Sequence, residues 1–277
     1  MPTDPLPSLT TLALERHGAV CVVWLNRPDK LNAINRIMLA EIGTVLDALA
    51  RDAGTRVIVL AGRGPSFCAG FDIERGGSGF GPAADPVSDA IELEERLMRF
   101  LAVWDCPKPV IAAVHGNCLA AATLLATFAD LTIVASDARI GYSSMPLGGG
   151  YLEPLWVHLV GPKRAKQIGL IPGYTIDGTT AAQWGWANYA VDAAQLHNEA
   201  IEVATRMARM PADVLQLRKR AINRMVELAG FREGAREGAH TDALLHQSPS
   251  VQKLRAAIAA HGLKEAIRRF QAGEIEF

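Results

Sequence analysis

Short apolar runs alternate with longer amphipathic stretches through the first two thirds of the chain. Residues 19–25, 56–61, 110–114 and 131–135 are rich in Val, Ile and Leu, which is typical of strands buried on both faces of a sheet. The stretches between them repeat apolar residues every three or four positions, as amphipathic helices do. Because strand, strand and helix follow one another repeatedly, the pattern predicts an α/β architecture with parallel strand pairing.

Turn and capping residues place the boundaries of the predicted elements. His17 and Gly18 between two apolar runs predict a hairpin. Asn35 is a predicted N-cap, and the apolar stripe of its helix comprises Ile37, Met38, Ile42, Val45, Leu46 and Leu49. A second helix is predicted from Asp85 or Ser88 to Trp104, and its charged face comprises Glu92, Glu95, Arg96 and Arg99. An apolar third helix is predicted over residues 119–129.

The chain is mostly helical after residue 151, with long helices predicted over residues 192–210, 211–229, 231–247 and 250–272. The apolar stripe of the second of these comprises Val214, Leu217, Ala221 and Met225. Such a stripe must pack on the core or on another subunit. A composition shift near residue 205 predicts two regions. Residues 1–205 form the α/β core, and residues 206–277 form a helical region for oligomerisation and for covering the pocket.

Charge and cysteine content narrow the functional classes. The 277 residues have a net charge of −1 and a pI of about 6.7, so broad attraction to nucleic acid or to membranes is not expected. The four cysteines are widely spaced and match no metal-binding pattern, so no metal is expected. Small buried thiols fit a reducing compartment. Residues 1–10 lack the features of a signal peptide, and we therefore expect a cytoplasmic protein.

Two backbone segments are the first candidates for chemistry. The Gly-rich loop at 62–72 follows a buried strand, and its glycines permit close approach of backbone. The predicted helix start around Ala120, Ala121 and Ala122 leaves backbone N–H groups that can bind an anion or an oxyanion. Each segment also has a structural interpretation, as a connecting loop and as a stretch of small residues that allows tight helix packing.

In their order and spacing, these segments resemble the crotonase family, also called the enoyl-CoA hydratase/isomerase superfamily. The motifs are LNRPDKLNAIN at 25–35, GRGPSFCAGFDI at 62–73, PKPVIAAVHGNCLAAATLLATFADL at 107–131, ARIGY at 138–142 and LVGPKRAKQIGL at 159–170. The resemblance covers most of residues 10–235 and implies a spiral of ββα units with a helical C-terminal region. It also implies an acyl-CoA thioester as partner, no separate cofactor, and a homotrimer or dimer of trimers.

The resemblance assigns an oxyanion hole to two backbone groups. Phe71 and Ala121 would each donate an N–H group to the thioester oxygen, a contribution of about 3–4 kcal/mol per donor. The CoA and substrate contacts that the resemblance implies are Arg27, Lys30, Leu31, Ala33, Ala69, Gly70, Asp72, Leu124 and Tyr142. Arg27 or Lys30 would screen a CoA phosphate, and the alternative is an exposed basic loop.

The two glutamates that hydratases of the family use for general acid–base work are absent. Their positions fall on Leu124 and on or near Ser144. Glu153 is the nearest acid downstream, and it either replaces them or stabilises a helix N-terminus. The open alternatives are an isomerase or hydratase, a hydrolase or C–C cleaving enzyme with a relocated acid such as Glu153, and a catalytically silent acyl-CoA-binding protein.

Structural roles are expected for the remaining titratable groups near the motifs. Asp72 and Glu74 are expected to be solvated or capping carboxylates. His115 lies at a strand end, where a hydrogen-bonded histidine is favoured over a general base. Tyr142 is the exception, because its hydroxyl group would donate a hydrogen bond to a substrate tail.

Overall fold

The computed structural model describes residues 8–73, 85–142, 145–148 and 153–277. The strands are β1 (Leu12–His17), β2 (Val20–Leu25), β3 (Val57–Gly62), β4 (Val110–Val114), β5 (Asn117–Leu119), β6 (Leu131–Ala135), β7 (Arg139–Gly141), β8 (Thr175–Ile176) and β9 (Tyr189–Val191). The helices are α1 (Arg36–Arg51), α2 (Pro86–Asp105), α3 (Ala122–Thr127), α4 (Glu153–Leu170), α5 (Gly178–Trp184), α6 (Leu196–Met207), α7 (Ala212–Leu228), α8 (Phe231–Gln247), α9 (Pro249–His261) and α10 (Leu263–Gln271).

The larger sheet has the strand order β1-β2-β3-β4-β6-β9. Strands β1 and β2 form the predicted antiparallel hairpin, and every later pairing in this sheet is parallel. All residues of β3 and β4 are buried, as the continuous apolar runs predict. Parallel pairing brings the carboxyl ends of β2, β3 and β4 to one edge, and the predicted site loops begin there.

A smaller sheet has the order β5-β7-β8, with β5 and β7 parallel. It continues directly from β4, because β5 begins only three residues after Val114. An isolated bridge pairs Cys68 with Cys118 and joins the Gly-rich loop to β5. The two segments identified from the sequence therefore meet beside this sheet.

Several element boundaries differ from the sequence prediction. The helix predicted over residues 119–129 is wrong at its start, since β5 includes residue 119 and α3 begins only at residue 122. Ala120 takes a positive φ of 49° and its N–H donates to Gly141 O, so the chain turns before it can become helical. The helix predicted over 250–272 is two helices, because Gly262 has φ 78° and separates α9 from α10.

Helices α1 and α2 bury the predicted faces with two exceptions, whereas Leu217, Ala221 and Met225 of the stripe predicted for α7 are exposed in the single chain. Asn35 Oδ1 accepts from Met38 N at 2.8 Å, which confirms the N-cap of α1. Ile37 was assigned to the buried stripe, but it is 45% exposed because it lies one position off the line of buried residues. Arg96 was assigned to the charged face of α2, but it is buried with its Nη2 bonded to Glu92. Its long aliphatic stem allows that burial.

The C-terminal helices are fastened to the core by a buried ion pair. Lys219 Nζ on α7 lies 2.7 Å from Asp130 Oδ2, and the same carboxylate accepts from Val110 N. Burial raises the pKa of Asp130, and the Lys219 ammonium opposes that effect. The outer face of α7 is uncovered in the single chain, and its exposed apolar side chains are Leu217, Ile222, Met225 and Leu228.

Candidate functional site

Residues 68–72 lie between two neighbours. On one side, Gly70 O accepts from Ile34 N at 2.8 Å and Asp72 N donates to Ile34 O at 2.9 Å. On the other side, Cys68 pairs with Cys118 of β5. In a trans peptide bond the C=O of one residue and the N–H of the next point in opposite directions. Because Gly70 O is directed to Ile34, the Phe71 N–H is directed away from Ile34.

Gly70 brings this segment into contact with the start of α3. It has φ 99°, and a β-carbon placed on it would lie 2.9 Å from Leu119 O and 3.7 Å from Ala121 N. A contact of 2.9 Å is shorter than real β-carbons adopt. Both the φ angle and the contact therefore require glycine at this position. The backbone of the Gly-rich loop and the residue before α3 consequently lie side by side.

Ala121 presents a buried backbone donor at this contact. It is 1% exposed, and in the part of the chain that the structure describes no acceptor is hydrogen-bonded to its N–H. Ala120 has a left-handed φ, and its own N–H donates to Gly141 O of the smaller sheet. The next N–H group, that of Ala121, lies outside the sheet. A buried unpaired donor costs about 1–3 kcal/mol, which a bound oxygen would recover.

Asp72 holds the other end of the loop. Its Oδ2 lies 2.9 Å from Arg27 Nη2, and Arg27 also donates to Ala33 O. The expectation of a solvated or capping carboxylate was wrong for Asp72, because it is 9% exposed and paired with this guanidinium. Glu74 lies outside the described residues. The Arg27 charge is therefore shared with a carboxylate directly beside Phe71.

The predicted CoA-binding loop is bonded to the Gly-rich loop. Lys30 ends a short 3₁₀ turn and is exposed. The carbonyl oxygen of Leu31 accepts a hydrogen bond from Ala69 N at 3.0 Å. Sequence reasoning missed Asn32, which is fully buried and donates through Nδ2 to Arg63 O and to Ser66 O. The only hint was its place inside the LNRPDKLNAIN motif. The Asn32 side chain therefore ties the two loops together.

The positions of the expected acids remain apolar or undescribed. Leu124 lies inside α3 and is 1% exposed, so no proton can be exchanged there. Ser144 lies outside the described residues, and Glu153 begins α4 with a side chain outside that description. Tyr142 directly follows β7, and its ring makes an edge contact with Trp156 at 6.1 Å.

His115 is hydrogen-bonded, as expected, to a carbonyl of the turn that follows β3. Its Nε2 lies 2.9 Å from Gly64 O, and a carbonyl only accepts, so Nε2 carries the proton. Its ring also makes an edge contact with His197 at 5.3 Å. Burial lowers the pKa of His197, and the neighbouring His115 adds to that shift. The imidazole that follows β4 therefore packs against the imidazole at the start of α6.

Cysteine and metal chemistry find no support in the described part of the chain. Cys68 is fully buried, and burial raises the pKa of its thiol to about 12, which disfavours the nucleophilic thiolate. No group of three or more His, Cys, Asp or Glu side chains within the described ranges could hold a metal ion. Among the helices described, none is both long and apolar enough to cross a membrane.

Comparisons with known proteins agree with the family that the sequence motifs resemble, and they cover most of the chain. The enoyl-CoA hydratase/isomerase family model matches residues 15–261. The 1,2-epoxyphenylacetyl-CoA isomerase of Escherichia coli is 35% identical over 74% of this chain and 78% of its own length. The short-chain-enoyl-CoA hydratase of Clostridium acetobutylicum is 33% identical over 78% and 82%, respectively. A crystal structure assigned to an enoyl-CoA hydratase/isomerase from Novosphingobium aromaticivorans is similar at a TM-score of 0.88 and 36% identity, and the match covers 97% of this chain and 96% of that one.

Proposed function

Since the chain belongs to the enoyl-CoA hydratase/isomerase family and has its crotonase fold, we propose that it binds an acyl-CoA thioester and polarises the thioester carbonyl with the N–H groups of Phe71 and Ala121. The observation that carries this function is the close approach of Gly70 to residues 119–121. Negative charge grows on the thioester oxygen as a proton leaves the α-carbon, and fixed N–H donors stabilise that charge without reorganising.

The chemistry that fits this site is rearrangement or cleavage of the thioester substrate rather than addition of water to its double bond. Hydration by two acids needs a proton-exchanging group at the position of Leu124, and that side chain is apolar and buried. One of the similar proteins is named an acyl-CoA isomerase, so the same scaffold supports reactions other than hydration. Glu153 at the start of α4 is the candidate relocated acid for isomerisation, hydrolysis or C–C cleavage.

The CoA moiety is assigned to the loop that Asn32 ties to the Gly-rich segment. Lys30 is exposed at the end of its 3₁₀ turn, which supports it as a candidate to screen a phosphate. Arg27 is the second candidate, and its guanidinium pairs with Asp72 and donates to Ala33 O. Leu31, Ala33 and Ala69 would then supply backbone and apolar contacts to the adenosine and pantetheine parts.

A second candidate function is binding without turnover. The burial of Leu124 favours it, since the oxyanion donors persist while the usual acid position is apolar. In that case the protein would hold or deliver an acyl-CoA, and no chemical step would follow.

One experiment separates these functions. The protein is incubated with saturated and enoyl-CoAs of several chain lengths, products are identified by mass spectrometry, and thermal stabilisation is followed in parallel. A thioester at one hundred times its dissociation constant stabilises the folded state by about 2.7 kcal/mol. Stabilisation with turnover supports the enzyme, and stabilisation without turnover supports the silent binder. The absence of both stabilisation and turnover would contradict both functions. If Glu153→Gln leaves turnover unchanged, the relocated acid is excluded.

A further inference from the structure

The side chain of Cys68 lies inside the loop that carries one of the proposed oxyanion donors. Cys68 is completely buried and is three residues before Phe71. Its backbone is bonded to β5 through both of its polar groups, because Cys68 N donates to Asn117 O at 2.9 Å and Cys68 O accepts from Leu119 N at 3.2 Å. The main chain from which the thiol projects is therefore held in place by the smaller sheet.

The sulfur of Cys68 makes two hydrogen bonds to the main chain of Gly70. Gly70 N donates to Cys68 Sγ at 3.4 Å, and the thiol donates from Sγ to Gly70 O at 3.8 Å. A thiol is both a weak donor and a weak acceptor, so one side chain serves both groups. These two bonds tie Gly70 to the part of the loop that β5 holds.

The bond from the thiol to Gly70 O requires that the sulfur keeps its proton. Burial raises the pKa of Cys68 to about 12, although hydrogen bonds from the Gly70 and Ile34 backbone oppose that effect. The side chain is therefore a neutral thiol at neutral pH. It acts in this loop through its hydrogen bonds and not as a nucleophile.

The bonds to Gly70 fix the direction of the Phe71 N–H group. Gly70 N belongs to the peptide plane before this glycine, and Gly70 O shares the next plane with the Phe71 N–H. Cys68 Sγ holds the first plane, and Ile34 N holds the second by donating to Gly70 O at 2.8 Å. Glycine has more backbone freedom than any other residue. Because both planes are held, Gly70 keeps its φ of 99° and the Phe71 N–H keeps its direction.

Cys118 provides a comparison within the same pair of segments. It is the partner of Cys68 across the isolated bridge and is also completely buried. Burial raises the pKa of its thiol, and no hydrogen bond to its sulfur is formed within the described part of the chain. The turn before Ala121 is held instead by the backbone bond from Ala120 N to Gly141 O. The two cysteines thus differ in the hydrogen bonds that the sulfur makes to the loop.

We propose that Cys68 is a positioning residue of the oxyanion hole, whose thiol holds Gly70 so that the Phe71 N–H is directed at the thioester oxygen. This inference rests on the proposed binding and polarisation of an acyl-CoA thioester. Cys68 acts through Gly70 and contacts no reacting atom. Without the sulfur, the peptide before Gly70 can rotate, and the Phe71 N–H is less often aligned with the carbonyl. The thioester still binds, but its carbonyl is polarised less.

The test measures the polarisation of the bound thioester carbonyl, so it needs no turnover. Butanoyl-CoA and octanoyl-CoA, each labelled with carbon-13 at the carbonyl carbon, are bound to the full chain, and isotope-edited infrared spectra give the carbonyl stretching frequency. Hydrogen bonds to the oxygen lower this frequency. Cys68→Ala should lose about half of the lowering seen in the wild type, because one of the two donors is displaced.

Two further variants make the test specific to the hydrogen bonds of the sulfur. Cys68→Ser should recover the frequency of the wild type, because a hydroxyl group also donates and accepts. The matched control is Cys118→Ala, which removes an equally buried sulfur from the other side of the bridge. Its bound carbonyl should absorb at the frequency of the wild type.

The outcomes distinguish this inference from the function on which it rests. If the wild type binds neither thioester, or if the bound carbonyl absorbs as it does in water, the proposed function fails and this inference fails with it. If the wild type lowers the frequency and Cys68→Ala lowers it equally, only the positioning role is overturned. An equal loss in Cys118→Ala, or no recovery in Cys68→Ser, also overturns it, since a general loosening of the core would produce either result. If Cys68→Ala does not fold, Cys68→Val fills the space without a hydrogen bond, and its comparison with Cys68→Ser decides.

Discussion

Replacing Gly70 with alanine tests the contact on which the proposed oxyanion hole depends. The new β-carbon would lie 2.9 Å from Leu119 O, and ordinary contact begins at 3.4 Å, so the two backbones must separate by about 0.5 Å. The φ of 99° adds strain of about 1–2 kcal/mol, partly offset by the lower entropy of the unfolded alanine variant. Overpacking adds about 1–3 kcal/mol. We therefore expect a loss of about 2–4 kcal/mol in the free energy of unfolding.

Gly230→Ala is the matched control for this variant. Gly230 has φ 91°, but a β-carbon there meets nothing within 4 Å. It therefore has the same backbone strain without the contact, and a loss below about 1 kcal/mol is expected. Urea unfolding gives both free energies. Because a displaced oxyanion donor lowers kcat by about 10²–10³-fold, Gly70→Ala should also lose turnover, or stabilisation by acyl-CoA if the protein is silent.

If Gly70→Ala and Gly230→Ala lose equal stability and both keep the acyl-CoA response of the wild type, then Gly70 does not hold the two donor segments together. A large loss of stability in Gly70→Ala with an unchanged response at saturating ligand would mean that the contact stabilises the fold but does not position an oxyanion donor.

Four further predictions follow from other parts of the molecule. Ala120→Gly should stabilise the fold by about 0.5–1 kcal/mol in urea unfolding, because it relieves a left-handed φ at some cost in chain entropy; a loss of stability would contradict the strain. Lys219→Met should lower the free energy of unfolding by about 3–5 kcal/mol, because it leaves the buried Asp130 carboxylate without its partner. Adding Asp130→Asn should recover part of that loss, and additive losses in the double variant would refute the pairing. The hydrogen bond from Thr55, helped by Arg16, lowers the pKa of Asp52 from 3.8 to about 2. The ionised carboxylate therefore stabilises the fold above pH 4, and this stabilisation is lost as the pH falls through 2. Asp52→Asn should have a smaller free energy of unfolding than the wild type at pH 6, and the difference should close toward pH 2. The exposed apolar side chains of α7 predict association between subunits. The family resemblance implies a homotrimer or dimer of trimers, and a monomeric mass in sedimentation equilibrium would contradict both expectations.

Local sequence patterns predict the sheet and its helices well because each such element depends on residues close in the chain. The apolar runs of β3 and β4 and the N-cap at Asn35 are examples. The Gly-rich loop and the start of α3 could also be paired in advance, but only through the order of the family motifs. Glycine at position 70 is the local feature that makes their contact possible.

Features that depend on contacts between distant residues were not predictable. Asp72 pairs with Arg27 across 45 positions, and His246 pairs with Asp89 across 157 positions. Nothing in the local sequence distinguishes such carboxylates from solvated ones, because burial is decided by the elements that pack around them. The turn at Ala120 was missed for a related reason, since the bond to Gly141 O imposes a φ that alanine seldom adopts.

The ion pair between Lys219 and Asp130 can form only after both residues have been synthesised. The carboxylate and its partner are 89 residues apart, and a ribosome adding about 5–20 residues per second needs roughly 4–18 s to pass from one to the other. During that interval the carboxylate of Asp130, which lies next to β4 and β6, has no ammonium group of Lys219 to pair with. Because a buried carboxylate without its partner is costly, we expect the nascent chain to bury Asp130 fully only after α7 has been made.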